Sequence, residues 1–367
     1  MQSNPRFIMI GGFLGAGKTT TVSRLASQFQ SEGKNVIIVT NDQASDLVDT
    51  NILRSQGFNV GEVAGSCFCC NFNELTETVE RLGEDQRPDV ILAEPVGSCT
   101  DLVATVIRPL REIYSHPLKI APYGVIVKPS HGARILSGKK KGGFSPQAEY
   151  IFRKQIEEAD FVLINRIDEL STEQVDLLAE LVADQFEERP VVRVSAKTGQ
   201  GFDQLCEVLA QAGNFGQRLM EVDYDVYAEG EAELGWLNCQ VQLTAAELID
   251  LDAFLLSLLN QLKEDFAIIE AETAHLKVIG MSEGYYAVAN LVSSDTEPQL
   301  SLSTGCQTRQ ANLVVNARVA VDPDSLTERV RQAIVQLAVA CGAEATISSL
   351  QSFRPGRPIP THRISKE

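Results

Sequence analysis

No apolar run in this 367-residue chain approaches the roughly 20 residues that a membrane-crossing helix needs. The first apolar stretch, 7–10, leads into a glycine-rich turn instead of a cleavage site, so a cytoplasmic location is expected. Basic charge is scarce: 32 Lys and Arg face 49 Asp and Glu, a net charge of -17. That balance argues against nucleic acid or an anionic membrane as a partner. A disulfide framework is missing too. The chain has 8 cysteines, and the three that crowd at 67, 69 and 70 are too close to pair comfortably with one another. Such usage fits a reducing compartment and a thiolate site.

What is present begins with GGFLGAGKTT at 11–20, set between a strand-like run and a helix-like segment. Gly12, Gly17, Lys18 and Thr19 satisfy GxxxxGK[ST]. In that pattern small residues let the backbone wrap a diphosphate at a helix N-terminus, with N–H groups pointing inward. The phosphate-binding set expected here is Gly12, Gly15, Ala16, Gly17, Lys18, Thr19 and Thr20. Lys18 suits the β- and γ-phosphates, and the Thr19 hydroxyl suits Mg²⁺.

Strands are expected at 7–10, 35–40, 59–63, 89–93, 123–127, 161–165 and 191–194, alternating with helical stretches. This is the pattern of an α/β fold, a mostly parallel P-loop NTPase sheet with helices on both faces, and its functional residues belong at the carboxyl ends of the strands. DVILAEPVG ends one strand in Glu94, a second Mg²⁺ candidate, and then offers the Gly97 N–H to a γ-phosphate. VLINRIDEL places Asn165, Arg166 and Asp168 after another. A carboxylate at 168 accepts from the N1 and N2 donors of guanine, a pair adenine lacks, while Arg166 lies over the base and Asn165 braces the loop. VSAKTG, with Ser195, Ala196 and Lys197, resembles the SAK loop whose backbone N–H, near Ala196 and Lys197, meets guanine O6. The three motifs in this order favour GTP, with GDP as product, over ATP.

Between the second and fourth strands AGSCFCCN gathers Cys67, Cys69 and Cys70, donors suited to a borderline cation such as Zn²⁺. The isolated Cys99, Cys206, Cys239, Cys306 and Cys341 read as core residues.

GGFLGAGKTT, CFCC, EPVG, NRID and SAKTG, in this order, resemble the CobW-like P-loop GTPases, the group that includes the nickel chaperones for urease and hydrogenase. The likeness is close over residues 1–212 and only an outline beyond. It implies GTP binding and hydrolysis coupled to binding a metal, commonly Zn²⁺ and sometimes Co²⁺ or Ni²⁺, and handing it to a client metalloprotein. It also implies that Asp42 and His131 join Cys67, Cys69 and Cys70 as transition-metal ligands, with Asp42 near Mg²⁺ as well.

The chain departs from the family pattern in places. The N-E-F-G-E stretch reads Asn41, Asp42, Gln43, Ala44, Ser45, and Lys128 stands where many members carry Asp. With 4 His there is no histidine-rich loop, and GKKKGG at 138–143 offers lysines in a solvated segment instead. A single switch-linked metal site therefore fits better than metal storage. Slow intrinsic turnover is expected, since no arginine finger or catalytic glutamine stands at a recognisable place. Two other readings remain open: a regulatory GTP switch with structural cysteines, and a corrinoid-enzyme assembly factor. A homodimer is also left open.

The domain expectation is a P-loop domain at 1–212, a linker at 213–233, a ferredoxin-like α+β domain at 234–351 and a flexible tail at 352–367. In the second domain strands are expected at 237–243, 274–279, 285–291, 313–321 and 345–350, with helices at 246–263 and 325–341.

Overall fold

The β-branched runs of the first half pair as parallel strands because most are apolar along their whole length and can be covered on both faces. The computed structural model describes residues 4–41, 50, 53, 54, 56–138 and 145–365. In chain order the first unit contains β1 (Arg6–Gly12), α1 (Lys18–Ser31), β2 (Val36–Asn41), β3 (Asn59–Val63), α2 (Phe72–Leu82) and β4 (Val90–Glu94). A π-helical turn (Val103–Ile107) runs into α3 (Arg108–Glu112), followed by β5 (Lys119–Ile120), β6 (Gly124–Val127), α4 (Pro129–Leu136) and α5 (Pro146–Glu158). Then come β7 (Phe161–Ile164), a 3₁₀ turn (Ile167–Glu169), α6 (Thr172–Gln185), β8 (Val191–Arg193) and α7 (Phe202–Ala210).

Among the described residues the sheet order is β3-β2-β4-β1-β6-β7-β8, with the short β5 also paired to β1. From β1 the chain first fills one side of the sheet and then the other. Right-handed crossovers in opposite directions put the helices on opposite faces, and β1 lies at the switch point where such folds bind ligands. The register sets Met9 beside Ala93, Thr40 beside Glu94, and Asn41 beside Val63. Glu94 thus ends next to the loop that leaves β1. Helix α1 is fixed by Val22, Leu25, Ala26 and Phe29, which recur on one face and are all buried.

The chain divides into two units, Met1–Gly230 with Arg357–Glu367, and Glu231–Gly356. The second contains β9 (Gly235–Asp250), α9 (Leu251–Ile268), β10 (Thr273–Ser282), β11 (Tyr285–Leu291), β12 (Gln299–Leu302), β13 (Gln307–Val319), α10 (Pro323–Ala340) and β14 (Ala343–Phe353). Its antiparallel order β12-β11-β10-β13-β9-β14 contains β14-β9-β13-β10, two interleaved βαβ units with β11 and β12 added at one edge. This matches the ferredoxin-like expectation. Leu251, Phe254, Leu255, Leu258, Leu259, Leu262 and Phe266 of α9 share one core with Leu326, Val330 and Ile334 of α10. The helix expected from 246 starts at Leu251 instead, because β9 keeps its ladder as far as Asp250, whose carboxylate then accepts from Ala253 N–H as the N-cap.

Two expected boundaries are corrected. The segment read as a linker belongs to the first unit as far as Gly230 and carries α8 (Tyr224–Ala232). Gly216 N–H donates to Asp160 Oδ2 at 2.7 Å, and the Tyr224 hydroxyl donates to Asp101 Oδ2 at 2.8 Å. The tail read as flexible is described to residue 365 and returns to the first unit after Gly356. Its polar groups find partners there: Arg357 Nε reaches Asp225 Oδ1 and Arg363 Nε reaches Asp101 Oδ2, both at 2.7 Å, while Ile364 N–H donates to Ala104 O at 3.0 Å. Composition alone suggested disorder, and these pairs are what override it.

Candidate functional site

Gly12, Gly15 and Gly17 take φ of 135°, 70° and 97°, a left-handed series that side chains disfavour. Space enforces the choice as well. A Cβ on Gly12 would stand 2.5 Å from Ile126 O, and one on Gly17 would stand 2.4 Å from Asn165 Nδ2. At the start of α1, Lys18 Nζ lies 2.9 Å from Gly12 O, so its ammonium folds over the loop. The Thr19 hydroxyl donates to Glu94 Oε1 at 2.8 Å. These two hard oxygens, adjacent and partly buried, form a donor set that fits Mg²⁺. Gly97 packs against the same loop: a Cβ there would meet Leu14 Cδ2 at 2.8 Å and Lys18 Nζ at 2.9 Å.

The base-side residues are joined by Asn165. Its Nδ2 donates to Ala16 O at 2.9 Å, and its Oδ1 accepts from Arg166 N–H at 2.8 Å and Ala196 N–H at 2.9 Å. One buried side chain therefore ties the phosphate loop to both motifs read as base-binding. Arg166 adopts φ 62° and pairs with Glu169, while Asp168 and Lys197 are exposed beyond the ends of β7 and β8. Ser195 is buried, and its hydroxyl accepts from Thr198 N–H at 3.0 Å.

After β3 the three thiols meet. Cys67 Sγ lies 2.9 Å from Cys69 Sγ and 3.3 Å from Cys70 Sγ, and Cys69 and Cys70 are 3.6 Å apart. A disulfide requires about 2.05 Å, whereas three corners of a tetrahedron of Zn–S bonds near 2.3 Å lie about 3.8 Å apart. The cluster thus needs only a small expansion to accept a cation. Hydrogen bonds from Cys67 and Cys70, then Cys99 and burial, push the Cys69 thiol well up. Cys67, and less so burial, pushes Cys70 up to about 11. Cys69 and Cys70 therefore retain their protons, which a bound cation would displace.

Asn41 holds this loop in place. Its Nδ2 donates to Val63 O at 2.9 Å and Ser66 O at 2.8 Å, and its Oδ1 accepts from Phe68 N–H at 2.8 Å. The tail supplies more: Thr361 N–H donates to Cys69 O at 2.8 Å, and its hydroxyl donates to Cys70 O at 2.9 Å.

His131 does not join the thiols. Among the described residues the group of potential ligand atoms lying within 4.8 Å of one another is Cys67, Cys69 and Cys70. His131 lies on α4, which follows β6 on the other side of β1 from β3. His131 is instead buried beside Phe13 of the phosphate loop, with Lys128 Nζ 3.2 Å from its Nε2. Burial, then Lys128, Arg134 and Arg166, push its pKa well down, so the ring is neutral. Asp42 and the lysine run at 139–141 lie outside the described residues. Cys99 and Cys239 are buried as expected, but Cys206 and Cys306 are half-buried and Cys341 is exposed.

Two positioning residues escaped the sequence reading. Gln155 of α5, buried, donates from Nε2 to Gly97 O at 2.9 Å and Cys99 O at 2.8 Å, fixing the segment after Glu94. Arg24 of α1 reaches Ala196 O and Lys197 O, both at 2.7 Å. Neither has a local motif, so only the fold reveals them.

A family model described as CobW/HypB/UreG, nucleotide-binding domain, matches residues 6–193. A zinc chaperone CobW from Sinorhizobium sp. is 24% identical over 219 residues, covering 52% of this chain and 59% of its own. A zinc chaperone YeiR from Escherichia coli (strain K12) is 26% identical over 176 residues, covering 46% of this chain and 49% of its own. The chain spans about half the length of the curated relatives it matches. Among solved structures, the Zn(II)-bound YjiA GTPase from E. coli aligns over 92% of this chain and 99% of its own, at 15% identity and a TM-score of 0.39.

Proposed function

Because this chain belongs to the CobW/HypB/UreG nucleotide-binding family, we propose that it is a GTPase whose nucleotide state controls the capture and delivery of Zn²⁺ to a client metalloprotein. The observation that carries the reading is the thiol cluster at the end of β3, two strands from the β4 carboxylate that meets Thr19. The family's curated relatives named zinc chaperones favour zinc among borderline cations.

In this reading the loop of Gly12 to Thr19 binds the phosphates, Lys18 moves from Gly12 O onto them, and Asp168 selects guanine. Mg²⁺, held by Thr19 and Glu94, supplies charge neutralisation when bound. The Gly97 N–H senses the γ-phosphate, and its loss on hydrolysis to GDP releases the segment from Gly97 to Cys99. Metal and nucleotide then influence each other reciprocally.

The test is metal binding by the full chain with a non-hydrolysable GTP analogue, with GDP and with no nucleotide. One Zn²⁺ per chain, with an affinity that differs between the analogue and GDP, is expected. Equal affinity in all three states, or no zinc uptake, would sink the coupling.

A further inference from the structure

Helix α1 starts at the phosphate loop and, two turns on, reaches the loop that follows β8. Arg24 stands about 9 Å of helix axis beyond Lys18, and its guanidinium donates from Nε to Ala196 O and from Nη2 to Lys197 O, both at 2.7 Å. We infer that Arg24 is the positioning residue for guanine O6: by holding these two carbonyls it turns the Lys197 N–H outward, as the donor that tells guanine from adenine.

The inference rests on the GTP reading above and adds to it the residue that makes this loop selective. In a trans peptide the C=O and the N–H point in opposite directions. With Ala196 O held by α1, the N–H of the same peptide, that of Lys197, points away from the helix. The donors on either side of it are occupied: the Ala196 N–H donates to Asn165 Oδ1 at 2.9 Å, and the Thr198 N–H donates to Ser195 Oγ at 3.0 Å. Among the described residues no group accepts from the N–H of exposed Lys197. Of three successive donors it is the one a ligand can use. Guanine O6 accepts from it, whereas the adenine amino group would set one donor against another.

The surroundings of Arg24 are built for this clamp. Gly199 adopts φ 88°, and a Cβ there would stand 2.7 Å from Arg24 Nη1, so a larger residue would push the guanidinium off the loop. The same group lies 5.6 Å from the ring centroid of Phe202 on α7. From the other side Asn165 joins the loop to Ala16 O of the phosphate loop. Hydrogen bonds from a guanidinium are stronger than neutral ones, and its planar fork orients two carbonyls at once, which a lysine ammonium does not. The Lys197 N–H is thus aimed before the base arrives, at a distance from the phosphates that α1 itself fixes.

Calorimetry of the full chain with GDP, IDP, 6-thio-GDP and ADP, each with Mg²⁺, separates this contact from the others. IDP keeps O6 and lacks only the 2-amino group that faces Asp168, whereas 6-thio-GDP keeps the Asp168 partners and replaces O6 by a poor acceptor. Arg24→Ala should weaken GDP and IDP alike, by about two- to tenfold, the worth of one hydrogen bond. It should weaken 6-thio-GDP and ADP less, so that the preference for GDP over either falls towards one. Arg24→Lys, which reaches one carbonyl at a time, should lie between, and it carries the same comparison if the alanine variant does not fold. An equal loss for all four nucleotides would assign Arg24 a merely structural role, and an unchanged GDP affinity would remove it from the site; either result overturns the inference. A wild-type chain that binds ADP as tightly as GDP would instead remove the guanine reading itself, and the role of Arg24 with it.

Discussion

At the carboxyl end of one sheet, the phosphate loop and the cysteine loop are held in opposite ways. The phosphate loop is a backbone object: three glycines with positive φ, two of them pressed against Ile126 O and Asn165 Nδ2, fix its shape before any ligand arrives. The cysteine loop is a side-chain object. Its sulfurs stand 2.9–3.6 Å apart as crowded thiols, and its position depends on Asn41, far away in sequence, and on a tail almost 300 residues later. Preorganised backbone binds with little rearrangement, whereas a thiol cluster must lose protons and expand before it becomes a site. The nucleotide site should therefore survive damage to the metal site, and the reverse should hold in the nucleotide-free protein.

The largest effect tests that independence. Cys69→Ser with Cys70→Ser should weaken Zn²⁺ binding at least about 10³-fold, since two of the thiolates that supply the binding free energy are gone. GTP affinity of the metal-free protein should be unchanged, which calorimetry checks. Parallel loss of GTP binding would mean that the cysteine loop helps to shape the phosphate loop. Lys18→Ala is the mirror experiment. Removing charge-assisted contacts to two phosphates, worth about 1.5–3 kcal/mol each, should cost at least about a hundredfold in GTP affinity. Zn²⁺ affinity without nucleotide should stay the same.

The same contrast explains what could be read from the residues alone. GGFLGAGKTT is legible because a backbone shape leaves its demand in consecutive residues: glycine where φ is positive, lysine and threonine at the helix start. Glu94, Asn165 and the strand order that serves them followed from buried runs with a polar residue at their ends. CFCC gave three sulfurs, but not the tail that caps their loop, because Thr361 is remote in sequence and only the fold brings it to Cys69 O and Cys70 O. His131 failed for the complementary reason. Its position in the chain resembled a ligand's, but the fold buries it beside Phe13 and Lys128 and outside the group of thiols. The tail was hidden by its own composition, which carries proline and arginine but gives no sign of Asp101 or Cys69 as partners.

Asn165→Ala sharpens the comparison from the rigid side. It leaves Ala16 O, Arg166 N–H and Ala196 N–H without the side chain that serves all three, at a buried position. The expected loss is about 2–4 kcal/mol, seen as a lower urea midpoint together with weaker GTP binding. An unchanged midpoint would show that the phosphate loop holds its shape without this brace.

Glu158 tests the segment between the two loops. Fully buried, it accepts from Val103 N–H at 2.9 Å and from the Thr100 hydroxyl at 3.3 Å, and burial, with Asp101 nearby, holds its pKa well above the ordinary value. The folded protein therefore binds this proton more tightly than the unfolded chain. The associated stability is complete below the unfolded pKa, about 4.3, and is lost as pH rises through the folded value. Glu158→Gln mimics the protonated carboxyl at every pH. It should raise stability at neutral pH by about 1–3 kcal/mol and flatten the climb in wild-type stability on acidification across that window. Urea midpoints from pH 5 to 8 that run parallel in the two proteins would contradict the assignment.

The smallest effect concerns the tail, and it decides how far the cysteine loop depends on remote chain. Thr361→Ala deletes the hydroxyl that donates to Cys70 O but keeps the N–H that donates to Cys69 O. One hydrogen bond at a partly exposed site is worth about 0.5–1 kcal/mol. The variant should therefore fold and bind GTP normally, while the tail leaves the cluster up to about fivefold more often. Cys70 is half-buried, so its alkylation in the metal-free protein should accelerate by the same factor, and the alkylation of exposed Cys341 in the second unit should not change. An equal rise at both cysteines would indicate general loosening. A rise at neither would mean that the cysteine loop, like the phosphate loop, keeps its shape from residues close to it in the sheet.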